Sequence, residues 1–587
     1  MKPKFGKIKL DNPLIIESDR AVCVEVDHPR YEEIREQLCR FAELEKSPEK
    51  LHTYRISSIS IWNAASLGID VSEILTFLNN NSRYPLPKTV SDRIHTWHRR
   101  YGAIGLEKIT KGAFAGNLAV TARDAGVFAE ARKLKGIESF IIGELQNGFV
   151  IHEDHRGLLK QFLTDAEFPV EDVAGYVDGA PLELKLRSST RAGRAFAIRK
   201  YQKEAVDAFY AEGSVRGGSG VVVLPCGAGK TVVGLATMEK LKTCTLVLTT
   251  SSAAVHQWRG EILDKTTLDA SEVGEYTGEK KDLKPVTVTT YQMLTYRRSK
   301  TGPFKHFSIF EERDWGLVIY DEVHLLPAPV FSITAGLQAR RRMGLTATLV
   351  REDGQETRVF SLIGPKRYEA PWRVLERQGF IATAHCKEVR VPLDAATGRE
   401  YAASGRREQF RVASENPSKL TTVRYLLNLH CKDHTLILGQ YLDQLHQFSK
   451  DLNAPLITGA TPNDVREQLY AEFRAGRIPV LIVSKVGNFA IDLPDANVAI
   501  QISGTFGSRQ EEAQRLGRVL RPKTDGRPAI FYSVVSADSR EREFAEKRER
   551  FLTEQGYTYE IVDSEKLLSN GAAGMNTTNV TTKGVVA

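Results

Sequence analysis

No apolar run in the chain approaches the ~18 residues that a membrane-spanning helix needs. The opening residues, MKPKFGKIKLDNPLII, lack the apolar stretch and small-residue cleavage site of a signal peptide. Cysteine is scarce: six in 587 residues and no CxxC pair, which argues against a zinc site or a disulfide framework. These absences together lead us to expect a soluble protein of a reducing cytoplasm. The Asn-x-Thr triplets at Asn576 and Asn579 are then chance matches and not glycosylation sites. There is no internal repeat, and no second histidine stands at HExxH spacing from His324, so a zinc hydrolase is not indicated there.

What remains is an ordinary globular composition, 42% hydrophobic and 26% charged, with a net charge of +8 that is a mild hint of a polyanionic partner. The length suits roughly three to five domains. Residues 1–114 read as a mainly helical N-terminal domain, with a charged helical pattern in YEEIREQLCRFAELEK and apolar residues three and four apart in residues 52–110. Its basic, aromatic end (His95, Trp97, His98, Arg99, Arg100, Tyr101) reads either as a nucleic-acid contact or as a solvated helix end. Residues 115–189 read as a small α+β domain with a hairpin turn at Gln146-Asn147-Gly148. From about 190 short apolar strands alternate with helical stretches (GVVVLP, CTLVLTT, VTVTTYQML, WGLVIYDE), and a second such series includes HTLILGQ, PVLIVSK and NVAIQISG. This is the pattern of parallel sheets with crossover helices. It predicts two tandem α/β domains, 190–375 and 376–560, followed by a small, polar, disordered tail at 561–587.

The chemistry concentrates in these two domains. VVVLPCGAGKTVVG is a strand, a glycine turn and a helix start. Gly227, Ala228 and Gly229 let the backbone approach a phosphate, and the helix N-terminus offers free N–H groups. Lys230 reaches the β- and γ-phosphates, and Thr231 suits Mg²⁺. The strict pattern wants a further glycine where Leu224 stands. YDEVH supplies the complement. Alone it reads as a metal site, an acidic turn or half of a hydrolytic centre. With the glycine turn in place, Asp321 suits Mg²⁺ and Glu322 suits the acceptance of a proton from attacking water. His324 then reads as a connector, as do Thr346 and Thr348 in GLTAT. In QRLGRVLR, Arg518 and Arg521 lie three apart and share a helix face, either a solvated basic face or a pair of arginine fingers.

In order, Gln202 (RKYQKEAV), GAGKT, LVLTTSSAAVHQW, TTYQML, DEVH, TAT, SKVGNFAIDLP and QRLGRVLR resemble the successive motifs of superfamily 2 helicases. DEVHLLPAPVF, the Arg351-Glu352-Asp353 triplet after TAT, and HTYRISSISIWNAASLGI resemble the bacterial-type XPB helicases, over nearly all of residues 50–560. The resemblance implies two RecA-like helicase domains and an ATP-dependent 3′→5′ DNA helicase or duplex translocase using Mg²⁺. It is linked to nucleotide excision repair or transcription, acts on single-stranded and duplex DNA, has a repair nuclease or a transcription complex as partner, and needs no more than a monomer. By matching motif, Gln202 reads adenine, Asp492 meets the nucleotide and Gln514 senses the γ-phosphate. Thr249, Thr250 and Thr290 hold the tracking strand, and Arg351, Glu352 and Asp353 separate strands. Residues 115–189 would correspond to a damage-recognition-like domain. Residues 394–416 would form a short thumb-like insertion, with Arg406 and Arg407 on phosphates and Tyr401 and Phe410 for stacking. The plain alternative there is a charged helix pair. Two other functions fit the same motifs: an ATPase clamp or switch without strand separation, and an RNA-directed helicase.

Overall fold

A computed structural model describes residues 8–46, 50–225, 227–299, 304–326, 340–347, 356–370, 372–380, 382–484, 496–504, 528–554, 557 and 559–569. The chain divides into two compact units. Met1–Pro225 and Gly229–Pro371 form one, and Cys226–Ala228 with Trp372–Ala587 form the other. Among the described residues no helix is long and apolar enough to cross a membrane.

The first unit begins with a four-stranded antiparallel sheet, ordered Leu14–Ile16, Ala21–Glu25, Leu51–Arg55, Glu43–Lys46. Helices Ser58–Ser66, Val71–Asn81 and Lys88–Arg100 pack with it around Val22, Tyr54, Leu78 and Trp97. The expected mainly helical domain is therefore half sheet. The ELEK segment read as helix is a strand, because Leu44 alone of its residues is buried and the helix Tyr31–Leu38 ends before it. The basic, aromatic end at 95–101 is engaged internally. Trp97 is buried, His98 bonds the Ile69 carbonyl at 3.0 Å, and Arg99 and Arg100 pair with Asp124, Glu130 and Glu167. His95 and Arg99 stay exposed, so the packing engages only part of this end.

A second, five-stranded sheet follows, ordered Ile141–Leu145, Gly148–Ile151, Leu118–Ala122, Ile104–Lys108, Val170–Asp172. Its hairpin turns where Gln146-Asn147-Gly148 predicts it. Strand Ile104–Lys108 pairs with Leu118–Ala122, so this sheet starts before residue 115 and draws on the chain just after helix Lys88–Arg100. Helix Arg156–Asp165 carries Arg156 and Lys160, which hold Asp172 at 2.8 and 3.1 Å in a buried triad.

Both α/β domains contain a seven-stranded, wholly parallel sheet. The first is ordered Val273–Tyr276, Val286–Thr290, Thr245–Thr249, Leu317–Asp321, Arg341–Thr346, Ser219–Val223, Lys366–Glu369. The second is ordered Leu456–Ile457, Val480–Val483, Thr435–Leu438, Val498–Gln501, Ala529–Ser536, Ala384–Val391, Tyr559–Asp563. The central strands are covered on both faces, which is why they read as unbroken apolar runs. The N-terminal module docks on the edge of the first sheet: Asn63 accepts from the Lys366 N–H at 3.0 Å, and the Trp62 and Phe360 rings lie 5.5 Å apart.

Candidate active site and nucleic-acid face

In a parallel sheet every strand ends on the same edge, and ligands bind there. The register brings the motifs together on that edge. Val223, ahead of the glycine turn, lies opposite Thr346; Asp321 lies opposite Leu345; Thr249 lies opposite Thr290. Leu224, where the strict pattern wants glycine, is fully buried and donates its N–H to the Thr346 carbonyl at 2.9 Å. It extends the strand, so the turn proper begins only at Gly227. Gly227 and Gly229 both have φ near +80°, a conformation glycine adopts without strain.

Helix Lys230–Leu241 starts directly from Gly229. Lys230 Nζ lies 2.6 Å from Glu322 Oε1, with both side chains mostly buried. Glu322 sits at the strand end with φ +50°, a left-handed conformation that costs a non-glycine residue about 1–3 kcal/mol and clusters at functional sites. Asp321 beside it is half-buried. Its Oδ2 accepts from Trp258 Nε1 at 2.8 Å, its Oδ1 from the Glu322 N–H at 3.1 Å, and its carbonyl from the Tyr291 hydroxyl at 2.8 Å. Burial, and then repulsion from Glu322, raise its carboxyl to about 6 against the opposing pull of Lys230. His324 is buried; its Nδ1 lies 2.7 Å from Thr346 Oγ1 and 3.4 Å from Glu322 Oε2. The two acidic residues are thus wired both to the glycine turn and to the TAT strand.

Gln202 is buried. Its Oε1 accepts from the Arg199 N–H at 2.9 Å, and a Cβ placed on Gly229 would lie 2.5 Å from its Nε2. It therefore lies directly over the turn. Among the described residues no three His, Cys, Asp or Glu side chains group to hold a metal. Mg²⁺ in general is bound through one or two carboxylates together with substrate phosphates and not by an all-protein cage. Asp321, crowded by a like charge, and Thr231 on the helix start provide such a donor set.

Other expectations meet a different environment. Thr249 is buried with its hydroxyl on the Thr289 carbonyl, and the Thr290 hydroxyl accepts from the Met293 N–H. Their hydroxyls are engaged within the fold, which leaves Thr250 and backbone groups for a strand. Residues 395–414 are the helix pair Ala395–Ala403 and Arg406–Ser414. Phe410 is fully buried, its ring 4.9 Å from that of Phe544, and the Tyr401 hydroxyl accepts from the Arg540 N–H. Neither aromatic is free to stack on a base, so that part of the thumb reading is withdrawn; Arg406 and Arg407 remain exposed. Thr348, Arg351, Glu352, Asp353, Asp492, Gln514, Arg518 and Arg521 lie outside the described residues. Sequence reasoning missed Trp258 and Tyr291 as supports of Asp321. Both fall within quoted motif stretches, yet nothing local says which partner they face.

Known proteins bear on this constellation. Residues 375–583 match the family described as ERCC3/RAD25/XPB C-terminal helicase, and residues 195–351 match the res subunit of type III restriction enzymes. Residues 14–146, the N-terminal modules, match a family described as a helicase conserved C-terminal domain. The chain is 48% identical over 559 residues to the DNA 3′-5′ helicase XPB of Mycobacterium tuberculosis (strain ATCC 25618 / H37Rv), covering 95% of this chain and 99% of that one. It belongs to the XPB helicase family. The XPB of Kineococcus radiotolerans is likewise 48% identical, over 95% and 97% of the two chains. The Saccharomyces cerevisiae general transcription and DNA repair factor IIH helicase/translocase subunit XPB/SSL2 is 30% identical over 93% of this chain and 71% of that one.

Proposed function

We propose that this XPB-family chain is an ATP-dependent DNA motor, a 3′→5′ helicase or duplex translocase, working in the cytoplasm as a monomer in DNA repair or transcription-linked remodelling. The observation that carries the reading is the Lys230–Glu322 contact at 2.6 Å on the edge where the glycine turn, DEVH and TAT strands all end. The names of the full-length relatives support the choice of DNA.

Gln202 holds the adenine against the turn. The backbone N–H groups after Gly227 cradle the phosphates, and Lys230 leaves Glu322 for the β- and γ-phosphates. Thr231 and Asp321 are the residues that would hold Mg²⁺, which would neutralise charge on the phosphates. Freed of its lysine, Glu322 orients the attacking water and takes its proton. Arg518 and Arg521 stabilise charge on the transferring group, Gln514 senses the γ-phosphate and Asp492 meets the nucleotide. His324 relays the state of Glu322 to Thr346, and with Thr348 this couples hydrolysis to grip on the strand. Thr250, backbone near Thr249 and Thr290, and Arg406 and Arg407 contact phosphates, so base identity matters little. Arg351, Glu352 and Asp353 part the strands; alanine there impairs unwinding more than ATPase.

Steady-state ATPase without nucleic acid, then with single-stranded DNA, duplex DNA and RNA, tests the proposal, with Lys230→Ala as control. DNA-specific stimulation lost in the variant supports the motor. Activity indifferent to every nucleic acid makes a protein-regulated switch the better account.

A further inference from the structure

The segment after Thr290 carries a surface that the motor chemistry does not use. Thr290 ends its strand on the ATP-site edge and caps the short helix Tyr291–Thr295. Tyr291 and Leu294 of that helix are buried, but the next aromatic, Tyr296, is 51% exposed. The chain folds back so that the Lys305 N–H donates to the Tyr296 carbonyl at 3.1 Å. The His306 ring then lies 6.0 Å from Tyr296, tilted by 34°, and its Nδ1 is 3.0 Å from the Tyr276 hydroxyl. Lys281 Nζ lies 4.9 Å from the Tyr276 ring centre, and the Arg297 guanidinium 4.1 Å from that of Phe304.

Basic side chains gather here, with Asp282 and Glu311 exposed in the same segments. Lys281, Arg297, Arg298 and Lys305 are all exposed. Lys281 is held below the usual lysine range by burial and by Lys305, a sign that like charges crowd one another. Of the nearby acids, Glu312 accepts from the Ser308 hydroxyl at 2.6 Å, Glu275 is faced by His256, Arg259 and Lys280, and Glu279 is exposed on the turn beside them. An exposed aromatic ring with exposed cations in its own and the adjoining segments is what a single-stranded nucleic acid uses: bases stack on the ring while phosphates take the charges. A solvated basic loop would need no exposed ring, and a core tyrosine would not stand half in water.

We propose that Tyr296 is a nucleobase-stacking platform for single-stranded DNA, flanked by Lys281, Arg297, Arg298 and Lys305 as phosphate contacts. The proposal rests on the reading of the chain as a DNA motor and extends its DNA track past Thr290 along the same edge. Stacking on one ring is sequence-tolerant, as a motor requires.

Fluorescence anisotropy of a labelled oligothymidylate with the full chain, over a salt series, tests it. Tyr296→Ala should weaken binding about tenfold with little change in salt slope. Tyr296→Phe should bind as the parent does. Arg298→Gln with Lys305→Gln should flatten the log–log salt slope by about 1.4, two phosphates at the single-strand value. Melting temperatures serve as the folding control, since all three side chains are exposed. Parent-like binding by Tyr296→Ala overturns the platform and leaves the motor standing. Failure of the parent protein itself to bind the oligonucleotide overturns the motor reading and the platform with it. Displacement of the oligonucleotide by polyglutamate at equal charge concentration overturns the platform as well, because it marks a surface that reads charge alone.

Discussion

Each α/β domain contains a lysine–glutamate pair, and the two pairs differ in what surrounds them. Lys419 and Glu541 in the second domain are sealed, with side chains 0% and 1% exposed. Lys419 Nζ lies 2.8 Å from both Glu541 oxygens, and also donates to the carbonyls of Ile502 at 2.8 Å and Ser414 at 3.1 Å, while Glu541 accepts from the Ser536 N–H at 2.9 Å. Lys230 and Glu322 in the first domain lie at a strand end, 12% and 16% exposed, with a second carboxylate alongside and Glu322 in a left-handed backbone. The same two side chains make a fixture where hydrogen bonds close on every side, and a replaceable contact where water and a phosphate can reach them. Local strain and crowding mark the second kind.

Mutation separates the two. Glu322→Gln should reduce DNA-stimulated ATP turnover about 10²–10⁴-fold, the worth of a general base, while denaturant unfolding shows little loss of stability. A stability loss comparable with that of the sealed pair would erase the distinction. Glu541→Ala should do the reverse. It leaves Lys419 charged in the interior and should cost the second domain about 3–5 kcal/mol in urea unfolding, with Lys419→Met plus Glu541→Leu recovering most of it. Trp258→Phe removes the indole donor from Asp321 and should weaken the Mg²⁺ dependence of turnover by about 1.5–3 kcal/mol, read as a higher Mg²⁺ concentration for half-activity. The smallest effect is with pH. Asp321 is raised to about 6 in the folded protein, above its unfolded value near 3.9, so the folded state holds the proton more tightly. Its contribution to stability is then full below about pH 4, falls as pH rises towards 6 and stays lower beyond. Asp321→Asn should lack that decline when parent and variant are unfolded in urea at pH 4.5 and pH 7.

How far the sequence reached follows the same division between local and long-range causes. Strands such as GVVVL and WGLVIYD were legible because sheets covered on both faces demand continuous apolar runs. The glycine turn and DEVH were legible because their chemistry is local to a few neighbouring residues. Strands Leu14–Ile16 and Glu43–Lys46 were not: one is three residues long and the other places charges on an open edge. Phe410 and Tyr401 read as available for a ligand because their cover, helix Arg540–Glu554, arrives more than a hundred residues later in the chain. Trp258 and Tyr291 were invisible as supports because Asp321, the residue they hold, stands 63 and 30 residues further along the chain.

The closeness of Gly229 to Gln202 has a consequence for how such a protein changes over generations. A single methyl group at position 229 would collide with the Gln202 amide, on top of the strain of its left-handed backbone. The glycine turn and the side chain proposed to choose the base lie against one another, so a side chain at 229 requires Gln202 to move. A change at 229 therefore calls for a second at 202, whereas a smaller side chain at 202 meets no such obstacle from a glycine. Libraries that randomise position 229 by itself will return mostly inactive clones.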